Sequence, residues 1–190
     1  MGDPKKSRRH YSRPLRPYES ERIKDEKILM RKYGLRRKNE IWKAENVLKK
    51  IRKRAKDLIA VRNPEEKEKF IKKLIHKGFI PADNTTLDTI LTLTVENILD
   101  RHLGSILLKR DLANTAIQAR QFIVHGHITV GNHKVTSPAY IVSRDEENDI
   151  RYNVNSNLNN SFKLRVKKPD VTPKPHDKTR KSGGRRGRRV

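Results

Sequence analysis

The sequence contains no cysteine, which excludes disulfides, iron–sulfur clusters and thiolate zinc knuckles. Apolar residues are scarce too. They make up 33% of 190 residues and the mean hydropathy is -0.92, so any core is modest and divided over one or two small domains. No apolar run approaches the ~18 residues of a membrane span, and the basic N-terminus is not followed by a signal-peptide apolar region. A cytosolic protein is expected, and a basic chain with no helix carrying a bulky apolar face and anchors is not expected to bind a membrane. Glycine-rich phosphate loops, nucleophile elbows and metal-ligand pairs at usable spacing are also missing, which argues against an enzyme.

Positive charge is what the chain has in excess. Its 46 Lys and Arg against 22 Asp and Glu leave a formal charge of +24 and a pI of 10.5. That much like charge repels itself in a compact monomer and calls for a polyanionic partner; no homo-oligomer is expected. Charged residues are 36% of the chain, and acidic ones are interspersed until the C-terminal tail, the pattern of ion-paired helices.

Residues 1–18, with Pro4, Pro14 and Pro17 among Lys and Arg, form an extended basic arm. Arg8, Arg9 and Arg13 are its candidate phosphate contacts, and Tyr11 and Tyr18 its candidate stacking rings. A helical domain is predicted over 19–92. Its first helix runs from about Glu19 to Tyr33 and stops at Gly34. In the next, Ile41, Ala44, Leu48, Ile51, Ala55 and Leu58 repeat at alternating steps of three and four and form one apolar stripe. Lys49, Lys50, Arg52, Lys53, Arg54 and Lys56 crowd its remaining surface and are candidate RNA contacts; Trp42 is assigned to helix packing. A third helix starts with Asn63 as cap, Pro64 at its first position and Glu65 and Glu66 at the positive end of the dipole. Glu65 and Glu66 are not paired catalytic carboxylates, because adjacent helical residues do not face each other. Phe70, Ile71, Leu74 and Ile75 give this helix its apolar face, Gly78 closes it, and the short "VRN" link makes an antiparallel helical hairpin.

A second, more apolar domain is predicted over 93–152. Leu87, Ile90, Leu91, Val95, Ile98, Leu99, Leu103, Ile106 and Leu107 fall at helical spacings on its approach and first part. "TAIQ", Thr115 to Gln118, is a capping box that opens a helix through Ala116, Ala119, Phe122 and Ile123, ended by Gly126. From His127 the period becomes two: Ile128 and Val130 alternate with His127 and Thr129, "GN" makes a tight turn, and Lys134 and Val135 begin the return strand. "YIV" and "DIRYNV" read as further short strands. Residues 153–168 form an Asn-rich strand and turn region, and 169–190 a basic tail that buries too little to fold alone. The fold class expected is α+β: a helical N-terminal domain, then helices on a small antiparallel sheet, with basic disordered tails.

The stretch "ARQFIVHGHITVGNHKVTSP", residues 119–138, concentrates the candidate site. Arg120, Gln121, His125, His127 and Lys134 surround one helix-to-hairpin junction, and Arg101, His102, Lys109 and Arg110 on the preceding helix extend the same face. Guanidinium groups bind phosphates bidentately, and the helix start at Thr115 to Gln118 offers backbone N–H groups to another. As metal ligands His125 and His127 need further partners, and only His133 is near in sequence; no metal and no cofactor is expected, and contact with RNA fits better.

The run from Arg101 to Val142, with "RHL", "LANT", "QARQFIVHGHITV" and "VTSP", resembles the S-four RNA-binding domain, most specifically at Gln118, Ala119, Arg120, Gln121, His125, Gly126, His127 and Ile128. The N-terminal half, with "GDPKKSRRHYSRPLRPY" and "YGLRRKNEIWKAE", is similar to the archaeal and eukaryotic type of the small ribosomal subunit protein four family, over most of residues 2–150. That resemblance implies a structural protein of the ribosome in the cytoplasm. It further implies binding to small-subunit ribosomal RNA at a multi-helix junction of the 5′ domain, nucleation of subunit assembly, and a contribution to translational accuracy where messenger RNA enters, beside small-subunit proteins three and five. The chain departs from the family in lacking the zinc-binding cysteines of some members, in Gly104 where Asp is frequent, and in "VGN" where bacterial members have "VNG". Two alternatives stay open: an RNA-modifying enzyme using an S-four module, and a general basic nucleic-acid binder.

Overall fold

The computed structural model describes residues 10–60, 63–81, 86–156 and 158. The candidates Arg8 and Arg9, the "VRN" link except Asn63, and the basic tail therefore lie outside the described residues.

The architecture is α+β, as the periodicities predict. Helices α1 (Ser20–Tyr33), α2 (Lys38–Ala60), α3 (Pro64–His76), α4 (Leu87–Leu91) and α5 (Val95–Leu99) come first. Then follow α6 (Leu103–Lys109), α7 (Ala116–Val124), β1 (Ile128–Val130), β2 (His133–Lys134), α8 (Arg144–Glu147) and β3 (Ile150–Tyr152). All six residues of the predicted α2 stripe are buried, because a 3.6-residue period keeps them on one side. Of the α3 face, only Leu74 is buried. Asn63 stands at the α3 N-cap with no side-chain bond, so Pro64 and the two glutamates mark that start without it.

The predicted apolar spacing over 87–107 is real but is broken into three short helices. Thr86 accepts a bond from the Thr89 N–H, and Thr94 and Asn97 cap each other reciprocally. Each such cap starts a new helix with its own axis. Ile90, Leu93, Ile98 and Leu99 pack with the α2 stripe, whereas Leu103, Ile106 and Leu107 pack with Ala119, Phe122, Ile123 and the sheet. The two cores thus divide between Leu99 and Leu103, later than the 92/93 boundary that composition suggests.

The sheet is antiparallel in the order β2-β1-β3, with Val130 opposite His133 and also opposite Ile150. Gly131 has φ +57° and Asn132 a negative φ, the signature of a II′ hairpin turn. "YIV" is not a strand of this sheet; Ile141 makes a single bridge to His102, and the Val142 N–H donates to the Arg101 carbonyl at 3.1 Å.

Where α1 ends, the two units touch most closely. Gly34 is left-handed at φ +60°, and a Cβ there would lie 2.7 Å from the Ala116 backbone carbonyl carbon at the start of α7. Gly131 shares the left-handed φ but faces open space. Gly131→Ala is therefore expected to cost about 1–2 kcal/mol, the left-handed penalty alone, and Gly34→Ala clearly more, because backbone must also move. Denaturant unfolding of the two variants checks this; equal losses refute the close-approach role of Gly34.

Candidate nucleic-acid interface

Helix α7 starts and ends where the sequence predicts, at Thr115 and before Gly126. The Thr115 hydroxyl accepts from the Gln118 N–H at 3.2 Å, but the Gln118 side chain reaches back to the Asn114 N–H at 3.0 Å, one residue earlier than a standard box. Of the N–H groups expected to be open to phosphate, that of Gln118 is thus already bonded. Gly126, at φ +74°, lets the His127 N–H close on the Phe122 carbonyl, and the stem of Lys134 lies over its missing Cβ. His125 and His127 stack at 6.1 Å, and His127 Nδ1 is 2.9 Å from the Ser156 hydroxyl, itself in a turn at Asn153–Ser156. His125, Gln121 and Lys134 are exposed. No group of three or more His, Asp or Glu among the described residues is arranged to hold a metal.

Four expected arginine contacts are occupied from within the protein. Arg120 makes a bidentate pair with Glu40 of α2, at 2.8 and 2.7 Å. The Arg101 guanidinium lies on Gly78, and donates to Glu147 and to the Val142 carbonyl, each at 2.8 Å. Arg110 donates to the Glu147 carbonyl, and Arg52 to the Leu93 carbonyl. The physical reason is common to all four: a half-buried guanidinium has several donors to place, and nearby carboxylates or carbonyls take some of them before any ligand arrives, although Nε of Arg52 and of Arg101 stays without a partner among the described residues. Lys109 pairs with Asp100 at 3.1 Å, and Arg54 with Glu66 at 3.1 Å.

His102 is a correction of a stronger kind. It is 9% exposed, between the cores, and burial pushes its imidazole down to about 4, against the opposing pull of Glu40. It does not lie on a binding face. Tyr11 is also engaged: its hydroxyl accepts from Asn39 at 3.2 Å and its ring meets Trp42 at 5.9 Å. Trp42 in turn donates to buried Glu26 at 3.0 Å, as a helix-packing residue does.

Other cations remain available. Lys50, Lys53 and Lys56 are exposed along α2 and make no ion pair among the described residues; Lys49 is exposed beside them and Arg13 on the arm. A further concentration was not read from the sequence. Arg36, Arg37 and Lys43 line a polar cleft of about 290 Å³ with Tyr11, Asn39 and the Glu40–Arg120 pair. These three cations make no ion pair among the described residues. The signal for two of them was present as "RR" at Arg36 and Arg37, between the Gly34 stop and α2, while Lys43 comes from the first turns of α2.

Residues 105–148, which hold most of α6 with α7 and the hairpin, match a family model of the S4 domain, and this makes the class an RNA-binding protein of the S4 type. Small ribosomal subunit protein uS4 of Saccharolobus islandicus is 46% identical over 168 residues, 87% of this chain and 91% of that protein. The protein of the same name from Sulfurisphaera tokodaii is 48% identical over 156 residues, 80% of this chain and 88% of that protein. The chain belongs to the uS4 family of small ribosomal subunit proteins, a family of structural proteins and not of enzymes.

Two predictions follow from the seam. Arg120→Ala leaves half-buried Glu40 without its partner and is expected to cost about 1–3 kcal/mol in stability; a double-mutant cycle with Glu40→Gln should recover part of that loss, and strictly additive effects would show the pair to be uncoupled. His102 binds its proton more weakly folded, at about 4, than at its ordinary 6.5. The unfolded state therefore takes up protons first, and stability is complete above pH 6.5 and falls as pH drops towards 4. Unfolding titrations should show His102→Leu flattening that slope.

Proposed function

We propose that the protein is a structural constituent of the small ribosomal subunit in the cytoplasm, which binds small-subunit ribosomal RNA at a multi-helix junction of the 5′ domain. In this reading it nucleates assembly, and contributes to translational accuracy near the messenger RNA, beside small-subunit proteins three and five. The observation that carries the reading is the cleft at the seam: three unpaired cations, Arg36, Arg37 and Lys43, beside a tyrosine and between two separately packed cores. Such a cleft takes backbone phosphates, and the rigid seam sets the angle between the RNA helices that supply them.

Lys49, Lys53 and Lys56, exposed along one face of α2, hold one RNA helix, while Gln121, His125, His127 and Lys134 meet another across the hairpin unit. Arg8, Arg9 and Arg13 extend the contact along the arm. A-form RNA hides its sequence in a deep, narrow groove, so recognition by shape and phosphate geometry suits a protein of this kind.

Binding should be tested in competition at moderate salt, a transcript of the 5′-domain junction against duplex DNA, tRNA and unstructured RNA of equal length. A junction preference of about a hundredfold or more, about 2.7 kcal/mol, is expected, and equal affinity for all four would overturn shape-specific recognition. The double variant Arg36→Ala with Arg37→Ala, both exposed, should weaken binding without lowering stability. If each arginine neutralises one phosphate, the salt slope falls by about 0.9 per contact removed.

A further inference from the structure

Helix α3 leaves its apolar face half covered, since Phe70, Ile71 and Ile75 flank the buried Leu74 without being buried themselves. Between it and α2 runs a groove of about 430 Å³. Val47 and Ile51 from α2, and Phe70 and Leu74 from α3, line it as two apolar pairs, each four residues apart and so on one helix face. Lys50 and Arg54 on α2 repeat that spacing in cations, as do Lys73 and Lys77 at the end of α3. Among the described residues no acidic one lines the groove. Arg54 is paired with Glu66, but Lys50, Lys73 and Lys77 make no ion pair among the described residues. The cleft at the seam shares no lining residue with this groove.

We infer that the groove docks an acidic amphipathic helix of a partner protein, with apolar anchors between α2 and α3 and carboxylates on Lys50, Lys73 and Lys77. Charge decides the sign of the occupant. The residues at either end of this chain are basic, with eight Lys or Arg against one Asp from Val171 onward, and a second copy carries the same +24; all are repelled by a cationic rim. The floor decides its chemistry. A phosphate backbone neutralises lysines but covers no apolar surface, and single-stranded nucleic acid takes hold of aromatic faces by stacking. Here Phe79 is only 5% exposed and Phe70 is half-buried, while the other apolar residues of the lining are aliphatic. An amphipathic helix meets both requirements at once, apolar residues at i, i+4 and i+7 in the groove and carboxylates on its flanks.

The test uses the full chain and a labelled synthetic helix with leucines at i, i+4 and i+7 and glutamates elsewhere, read by fluorescence anisotropy. Controls are a scrambled peptide of the same composition and a labelled single-stranded RNA of similar charge. The ordered helix is expected to bind at least about tenfold more tightly than its scramble, about 1.4 kcal/mol. Lys50→Glu with Lys73→Glu should abolish that preference, and Phe70→Ser should reduce it while leaving RNA binding unchanged. Equal binding of the scramble overturns the inference, as does an ordered-helix affinity untouched by the charge reversal. So does loss of RNA binding in Phe70→Ser, which would make the groove a nucleic-acid site. Both lysines are exposed, so the charge reversal remains decisive if Phe70→Ser lowers stability.

Discussion

The scarcity of carboxylates governs this structure: 22 acidic residues must hold together a chain bearing 46 cationic ones. Those acids stand where distant segments meet. Glu40 grips Arg120 across 80 residues of sequence, Asp100 accepts from Tyr33 at 2.8 Å across 67, and Glu96 pairs with Lys32 across 64. Glu147 holds Arg101, and Glu146 takes the Tyr140 hydroxyl at 2.8 Å while capping Ser143. An exposed pair of this sort contributes little, but a half-buried bidentate one supplies both energy and angle. Asp100 and burial together push the Tyr33 hydroxyl well above its ordinary range, burial being the larger cause, so it remains a donor at every physiological pH.

These pairs act at a seam that packing alone would leave loose. The two cores divide between Leu99 and Leu103, and an apolar contact is indifferent to direction. The close approach of Gly34 to Ala116 and the fork of Arg120 on Glu40 are directional, and together they fix how α1 and α2 meet α7. Because Arg36 and Arg37 stand two and three residues after Gly34, the turn that joins α1 to α2 also delivers two cations to the seam. The cleft is therefore a consequence of the joint. A shift of that joint would move these cations relative to the α2 lysines.

Local features were legible in the sequence and distant ones were not. The α2 stripe, the left-handed stops at Gly34, Gly78 and Gly126, the Thr115 cap and the hairpin at Gly131 each depend on residues within a few positions, and each stands as the pattern predicts. The break of 87–107 into α4, α5 and α6 escaped because Thr94 and Asn97 form a cap that uses Asn where Glu or Gln is usual. The burial of His102 and the internal duties of Arg52, Arg101, Arg110 and Arg120 escaped for a different reason. Whether a cation faces solvent or a carboxylate 46 or 80 residues away depends on the tertiary fold, and charge periodicity carries no trace of the partner. Arg36 and Arg37 were passed over for the converse reason: a dipeptide between helices has no periodicity to recommend it, and gains its place only when the seam closes.

The arm shows how this economy bears on binding. A basic segment with three prolines reads as one that orders only on its ligand, yet its described part is already held. Arg22 donates to the Arg16 and Pro17 carbonyls at 3.0 and 2.9 Å, Asn46 donates to the His10 carbonyl, and Tyr11 rests on Trp42. Behind them Glu26, 3% exposed, anchors Arg22, Lys38 and Trp42 together. Burial alone would raise its carboxyl, but the bonds from Trp42, Lys38 and Arg22 outweigh that and hold it below the ordinary carboxylate range, so it stays charged. Ordering a residue's backbone costs about 1–2 kcal/mol, and for residues 10–17 that cost is met within the fold. One buried glutamate, by anchoring Arg22, Lys38 and Trp42, thus fixes the base of the described part of the arm.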